Sequence, residues 1–247
     1  MNALGIDIGG SAIKGAPVDT KTGKLLAERF RVEAKGKLTP AQLSGAVAEI
    51  VKHFKWRGPI GAGFPGLIHG STAIIAANLS KRFVGCDIAS LITKAAKTRS
   101  TVRVLNDADA AGIAEARFGA GRDRKDTVLV LTLGTGVGSA LFSNGLIVPN
   151  TEFGHIPVNG HSIEKDVAAS VRKLENLSWS KWGRRLNGYL LTLELLVAPA
   201  LIIIGGGVSA RHEKFFKYLK TRAPIVPAEF LNEAGIVGAA LHAGAPK

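Results

Sequence analysis

Val102-Arg103-Val104-Leu105-Asn106-Asp107-Ala108-Asp109 is the stretch that decides how this chain is read. Val102, Val104 and Leu105, apolar among polar neighbours, predict a short strand. The Ala-rich run from Ala108 to Phe118, closed by Gly119 and Gly121, predicts a helix directly after it. Asp107 then stands where a strand gives way to a helix, and in open α/β sheets ligands bind beyond the carboxyl ends of strands. Capping alone would also account for it, since Asp is a favoured N-cap residue. Glycine loops earlier and later in the chain tip the balance toward a functional acid.

Outward from that point, the chain repeats itself. Leu4 to Val18 reads as strand, glycine turn and strand, and Leu25 to Val32 supplies a third strand. Thr39-Pro40 opens a helix whose Leu43, Val47, Ile50, Val51 and Phe54 share one face. Ile60 to Gly66 is a short strand running into a loop, and Ile88 to Lys97 a helix. Val128 to Leu133, Gly134-Thr135-Gly136, Val137 to Phe142, the hairpin signal Asn144-Gly145 and Leu146 to Val148 then restart the opening order. Such an internal repeat predicts two related α/β lobes with their glycine loops facing across a cleft. We expect one lobe over 1–107, completed by a C-terminal helix at about 232–247, and the other over 108–231. The second lobe adds a helix marked by Trp182, Leu186, Tyr189, Leu190, Leu193 and Leu196 and ended by Pro199. A buried strand Leu201 to Ile204, a helix with Phe215, Phe216 and Leu219, and a closing helix Glu233 to His242 follow.

Composition narrows the class of protein. At 247 residues the chain can bury a full core, and its apolar content is that of a globular protein. The single Cys86 excludes an internal disulfide and a cysteine-rich zinc site. Met1-Asn2-Ala3-Leu4 runs straight into a strand pattern without a basic leader, and the most apolar stretch, Leu190 to Ile204, is too short for a bilayer. A cytoplasmic protein with no membrane partner is expected. The net charge of +13 points to a polyanionic partner: nucleic acid, a membrane surface or a long phosphate chain. A solvated basic surface is the plain alternative.

Three glycine loops follow strands: Gly9-Gly10-Ser11, Gly134-Thr135-Gly136 and Gly205-Gly206-Gly207. Bare backbone N–H groups in such loops approach phosphate oxygens closely. None matches the Walker or the dinucleotide fingerprint, so neither a P-loop nucleotidase nor a Rossmann dehydrogenase is favoured. Asp7, just before the first loop, suits the water shell of a magnesium ion, or else merely stabilises a turn. Lys14 either reaches a phosphate or points to solvent.

Taken together, Asp7 to Gly15, Leu105-Asn106-Asp107-Ala108, Leu133 to Gly138, Glu152-Phe153-Gly154-His155 and Ile204 to Ser209 resemble the sugar kinases of the ROK family. The resemblance implies the actin-like ATPase (ribonuclease H-like) duplicated fold. Asn176-Leu177-Ser178-Trp179-Ser180-Lys181-Trp182 and the short length look most similar to the branch that uses inorganic polyphosphate to phosphorylate glucose, including members that also accept mannose.

By position, the resemblance implies Asp107 as the general base toward the sugar's 6-hydroxyl. It implies Asn78, Asn106, Glu152, His155 and Glu164 on sugar hydroxyls. Asp7, Gly9, Gly10, Ser11, Lys14, Gly134, Thr135, Gly136, Gly206 and Gly207 would hold phosphates, with Mg²⁺ as cofactor through Asp7 and water. The residues themselves leave two alternatives: His155 as a satisfied core histidine and Glu164 as a solvated helix acid. The zinc-binding cysteines of many family members are missing, so no zinc site is expected, and Phe83 stands where relatives often carry tryptophan. A homodimer is expected from relatives. Two other functions fit parts of the pattern: a strictly ATP-dependent hexokinase of this family, and a sugar-responsive nucleic-acid-binding regulator. The second is disfavoured because the first glycine-loop strand begins at Leu4, leaving no room for a helix-turn-helix.

Overall fold

The structure, a computed structural model, describes residues 1–77, 79–158 and 160–245. In chain order its elements are β1 (Asn2–Ile8), β2 (Ala12–Asp19), β3 (Lys24–Leu25), β4 (Phe30–Glu33), α1 (Pro40–His53), β5 (Ile60–Phe64), the small hairpin β6 (Ile68–His69) and β7 (Thr72–Ala73), α2 (Ile88–Ala96), β8 (Val102–Asn106) and α3 (Asp107–Phe118). Then come β9 (Val128–Leu133), β10 (Val137–Ser143), β11 (Leu146–Val148), the hairpin β12 (Pro157–Val158) and β13 (His161–Ser162), α4 (Glu164–Val167), α5 (Ala169–Leu174), α6 (Trp179–Val197), β14 (Leu201–Gly205), β15 (Ile225–Pro227) and α7 (Ala234–Gly244). They pack as two units, Met1–Ala114 with Glu233–Lys247, and Glu115–Asn232.

In the first unit the sheet runs β3-β2-β1-β5-β8, with β4 also on β2. Strands β1 and β2 are antiparallel, whereas β5 pairs in parallel with both β1 and β8. Leu4, Ile6 and Ile8 alternate onto one face and meet Leu43, Val47 and Ile50 of α1 with Ile88 and Ile92 of α2. The other face explains two glycines. Gly5 and Gly61 are register neighbours. A Cβ on either would overlap the backbone of α7, at the carbonyls of Ile236 and Ala239. The helix therefore lies directly on the strands' main chain.

The second unit repeats that order. Its sheet is β11-β10-β9-β14-β15, an antiparallel meander followed by two parallel strands. Asn144 and Gly145 both take positive φ, 53° and 74°, as a two-residue hairpin of the twisted kind demands. Leu129, Leu131, Ile202 and Ile204 pack against Trp182, Leu186, Leu190 and Leu193 of α6 and against Phe215. This is the duplicated α/β architecture expected of an actin-like ATPase.

Three local expectations are corrected. The strand expected over 25–32 is two strands, β3 and β4, which pair with different parts of β2. Pro17 sits between those pairings; its carbonyl accepts from Leu26 at 2.8 Å, but it has no N–H to carry the ladder on. The helix expected around 215–219 is a run of 3₁₀ turns, Ser209–Lys214 and Phe216–Tyr218. Phe215 leaves helical dihedrals between them and packs its ring edge-on to Trp182 at 4.9 Å. The unit boundary falls inside α3, at Ala114–Glu115, rather than at 107/108. The first turns of α3 belong with α7, because Gly238 allows close approach to the Ala110 carbonyl. The alternative reading of Asp107 as the helix cap also falls, since Asp107 is itself the first residue of α3. Among the described residues no helix is long and apolar enough to cross a membrane.

Candidate active site

The acid singled out by the sequence is placed by its predecessor. Asn106 ends β8 with a side chain only 5 % exposed. Its Oδ1 accepts from the N–H groups of Ala108 at 2.7 Å and Asp109 at 3.0 Å, and its Nδ2 donates to the Gly66 carbonyl at 3.1 Å. Asn106 is thus the N-cap of α3 and ties that helix start to the loop after β5. Its amide oxygen is engaged there, so Asn106 supports the placement of Asp107. Asp107 becomes the first helical residue, half-buried, with Oδ1 accepting from Ala108 N–H at 2.9 Å. Gly63 on β5 keeps the space beside it clear: a Cβ there would stand 3.4 Å from the Asp107 Cα.

In the same unit, Asp7 and Lys14 face each other across the β1–β2 register, with Nζ 3.4 Å from Oδ2. Lys14 therefore neither points away into solvent nor stands alone. The turn between them carries Gly9, Gly10 and Ser11, closed by a Gly9 N–H to Ala12 carbonyl bond of 3.0 Å, with Gly10 and Ser11 exposed. Asn78 lies outside the described residues.

The remaining predicted residues gather in the second unit. Ser139, 1 % exposed on β10, starts this arrangement. Its hydroxyl donates to the Thr151 carbonyl at 2.6 Å and accepts from Phe153 N–H at 3.0 Å, fixing the 3₁₀ turn Phe153–His155. Gly154 in that turn lies so close to β10 that a Cβ would overlap the Val137 carbonyl. His155 is held out of the core, half exposed, with one carboxylate off each ring nitrogen: Glu152 Oε2 lies 3.7 Å from Nε2 and Glu164 Oε1 3.8 Å from Nδ1. Those are ion-pair distances, not hydrogen bonds. The core-histidine alternative is therefore ruled out. Glu164 opens α4, and its Oε2 accepts from Val137 N–H at 3.2 Å, so it is no solvated helix acid. It joins the trio to the second glycine loop.

That loop is secured from α5 as well. Ser170 donates its N–H to the Gly134 carbonyl at 3.0 Å and its hydroxyl to the Thr135 carbonyl at 2.7 Å. On its far side, Gly206 takes φ +81°, and a Cβ there would overlap Leu133. A cavity of about 420 Å³ opens beside these two glycine loops. Gly134, Thr135 and Gly207 form part of its wall, together with Arg172, Lys173 and Arg211. Among the described residues no group of three or more His, Cys, Asp or Glu is arranged to hold a metal ion.

Burial raises the Glu152 carboxyl above the ordinary carboxylate range, with His155 opposing that rise and Glu164 adding to it. A folded-state value above the unfolded one costs stability as pH rises through it, because only the folded protein pays to ionise. Glu152→Gln removes that cost. We expect its Tm advantage over wild type to be absent near pH 4, close to the unfolded value of about 4.3, and to grow toward neutrality. A Tm difference that is flat across that range in thermal melts would contradict the assignment.

Sequence reasoning missed two contributors: Ser139 as the anchor of the His155 turn, and Arg172, whose guanidinium stands over Trp179. Ser139 carried no signal, since a serine on a strand reads as an outward polar position. The density of basic and aromatic residues from Arg172 to Arg185 was a signal for the second.

The ROK family's sequence model matches residues 3–173. The polyphosphate glucokinase of Mycobacterium tuberculosis is 42 % identical over 97 % of this chain and 90 % of its own length. The inorganic polyphosphate/ATP-glucomannokinase of Arthrobacter sp. strain KM superposes with a TM-score of 0.93 at 46 % identity, covering 98 % of each chain. A ROK family glucokinase from Streptomyces griseus, solved with glucose and AMPPNP, shares the fold at TM-score 0.81 and 23 % identity. Glycine loops, the Glu152–His155–Glu164 trio and full-length similarity thus agree, and this chain belongs to the ROK family.

Proposed function

We propose that this protein transfers the terminal phosphoryl group of inorganic polyphosphate to the 6-hydroxyl of glucose. The observation that carries this reading is similarity over nearly the whole chain to a polyphosphate glucokinase and a polyphosphate/ATP-glucomannokinase, at 42 % and 46 % identity. The basic pocket beside the second glycine loop supports it, because a phosphate chain is recognised by charge and bare N–H groups.

In this reading Asp107 accepts the proton of the glucose 6-hydroxyl as that oxygen attacks the terminal phosphorus. The bond from phosphorus to the bridging oxygen breaks, the chain leaves one phosphate shorter, and glucose 6-phosphate forms. Phosphoryl transfer asks chiefly for alignment and charge neutralisation. Glu152, His155 and Glu164 bind the other sugar hydroxyls, and the loops at Gly9–Ser11 and Gly134–Gly136 with Gly206 and Gly207 hold phosphate oxygens. Mg²⁺ bound to the donor would neutralise charge on its phosphates. The single half-buried carboxylate of Asp7 fits that ion, which keeps most of its own waters and takes the rest of its ligands from phosphate. Lys14, 3.4 Å from Asp7, adds a cation for the same oxygens.

ATP as a second donor is supported by the name of the Arthrobacter relative and by the third glycine loop in the pocket wall. Mannose as a second acceptor is supported by the same name. A cytoplasmic location and a homodimer complete the proposal.

The test is glucose 6-phosphate formation with polyphosphate and with ATP, each over a salt series. We expect turnover with polyphosphate and a KM for it that rises steeply with salt. Turnover with ATP alone would overturn the donor assignment.

A further inference from the structure

The basic pocket of the second unit supports the proposed donor, but its individual cations, and those leading away from it, have no assigned role yet. Among the described residues, the cavity beside the glycine loops has Arg172, Lys173 and Arg211 in its wall and no carboxylate. Its aromatic wall residue, Trp179, is already engaged. The Arg172 guanidinium stands 4.0 Å from the indole centroid, and the Phe215 ring lies nearly parallel to it at 6.0 Å. Trp182 packs edge-on at 6.0 Å. Arg172 is held in place further by a 3.2 Å bond to the Leu177 carbonyl. The wall therefore offers fixed positive charge more than an open ring on which a base could stack.

The cations continue outward. Lys214 lies 5.9 Å from the Trp179 centroid, and Lys217 and Arg184 lie 5.4 Å and 5.9 Å from the Tyr218 ring. Tyr218 packs on Gly183, where a Cβ would come within 3.1 Å of it, so α6 and the 3₁₀ run 209–218 hold this row together. Arg211, Lys214 and Lys217 all lie on that run, with Lys214 and Lys217 on either side of the break at Phe215.

We propose that this pocket and the row leading from it are the seat of the polyphosphate chain. Arg172, Lys173 and Arg211 grip the inner phosphates, and Lys214, Lys217 and Arg184 follow a chain too long for the pocket. Arg172 is fixed against Trp179 in the pocket, and the cations beyond it extend the positive charge, so the seat reads phosphate and chain length. This assignment rests on polyphosphate being the donor.

The test uses long-chain polyphosphate and inorganic tripolyphosphate as donors and titration calorimetry of each without glucose. In Lys173→Ala/Arg211→Ala, the KM for long chains should rise about tenfold or more, and the slope of log KM against log salt should fall by roughly one to two. The KM for glucose should stay as in wild type. In Arg184→Ala/Lys217→Ala, the long chain should weaken while tripolyphosphate does not. An unchanged KM and salt slope in the first variant overturns the pocket, and unchanged long-chain affinity in the second overturns the row. Should wild type make no glucose 6-phosphate from polyphosphate, the donor reading fails by itself. Calorimetry then decides the seat: binding that the first variant loses upholds it, and equal or no binding overturns it.

Discussion

Replacing Asp107 by asparagine is expected to lower kcat by about 10²–10⁴, the usual contribution of a positioned general base. The protein should stay folded, for a reason visible in the structure. Helix α3 is capped by Asn106, whose Oδ1 takes the Ala108 and Asp109 N–H groups. The substituted amide would retain an Oδ1 for the 2.9 Å bond from Ala108. What disappears is the proton acceptor and a negative charge at the helix start, the latter worth about 0.3–1 kcal/mol. The KM for glucose should change little beside the fall in kcat. Steady-state rates and a thermal melt on one preparation separate these outcomes, and near wild-type kcat in a folded variant would remove Asp107 from the chemistry.

The second large effect concerns Glu115, which contacts no proposed substrate group. It is 1 % exposed, and its carboxylate accepts from three backbone N–H groups: Ala120 at 3.0 Å, Glu229 at 3.1 Å and Phe230 at 2.8 Å. It gathers the chain just after the second unit begins and just before it ends. Glu115→Ala leaves three part-buried donors without their acceptor, a cost toward the lower end of about 1–3 kcal/mol each. A loss of about 3–5 kcal/mol is expected, against a typical total of about 5–15 kcal/mol. Glu115→Gln, which keeps one acceptor oxygen, should lose less. Urea unfolding of the three proteins checks the order, and an alanine variant as stable as wild type would show that these bonds carry no net stability.

Much of this was legible in the sequence because it depends on short-range pattern. The alternation at Val102–Leu105 and the Ala-rich run after it located the junction that holds Asp107. Two rounds of strand, glycine turn and strand located both sheets. What was illegible depended on which way a backbone group or side chain turns. Asn106 and Asp107 are both good caps, and only the burial of the Asn106 side chain against the Gly66 carbonyl assigns the cap to it. Pro17 splits the third strand because its nitrogen faces the strand that would have paired there, a direction no propensity encodes. Glu164 and His155 each had a plain structural reading. Position decides both: Glu164 reaches back 27 residues to Val137, and His155 is half exposed between two acids. Trp179, in the pocket wall, stacks at 6.0 Å on Phe215, a residue distant in sequence, and that contact has no local signature.

The most direct check of phosphoryl transfer from polyphosphate to glucose is a ³¹P NMR time course. Purified protein, long-chain polyphosphate, glucose and Mg²⁺ are mixed with no nucleotide present. The predicted result is a growing glucose 6-phosphate resonance at the expense of chain phosphate, lost in Asp107→Asn. A spectrum in which the chain persists, or is released as inorganic phosphate without any sugar phosphate, would contradict it.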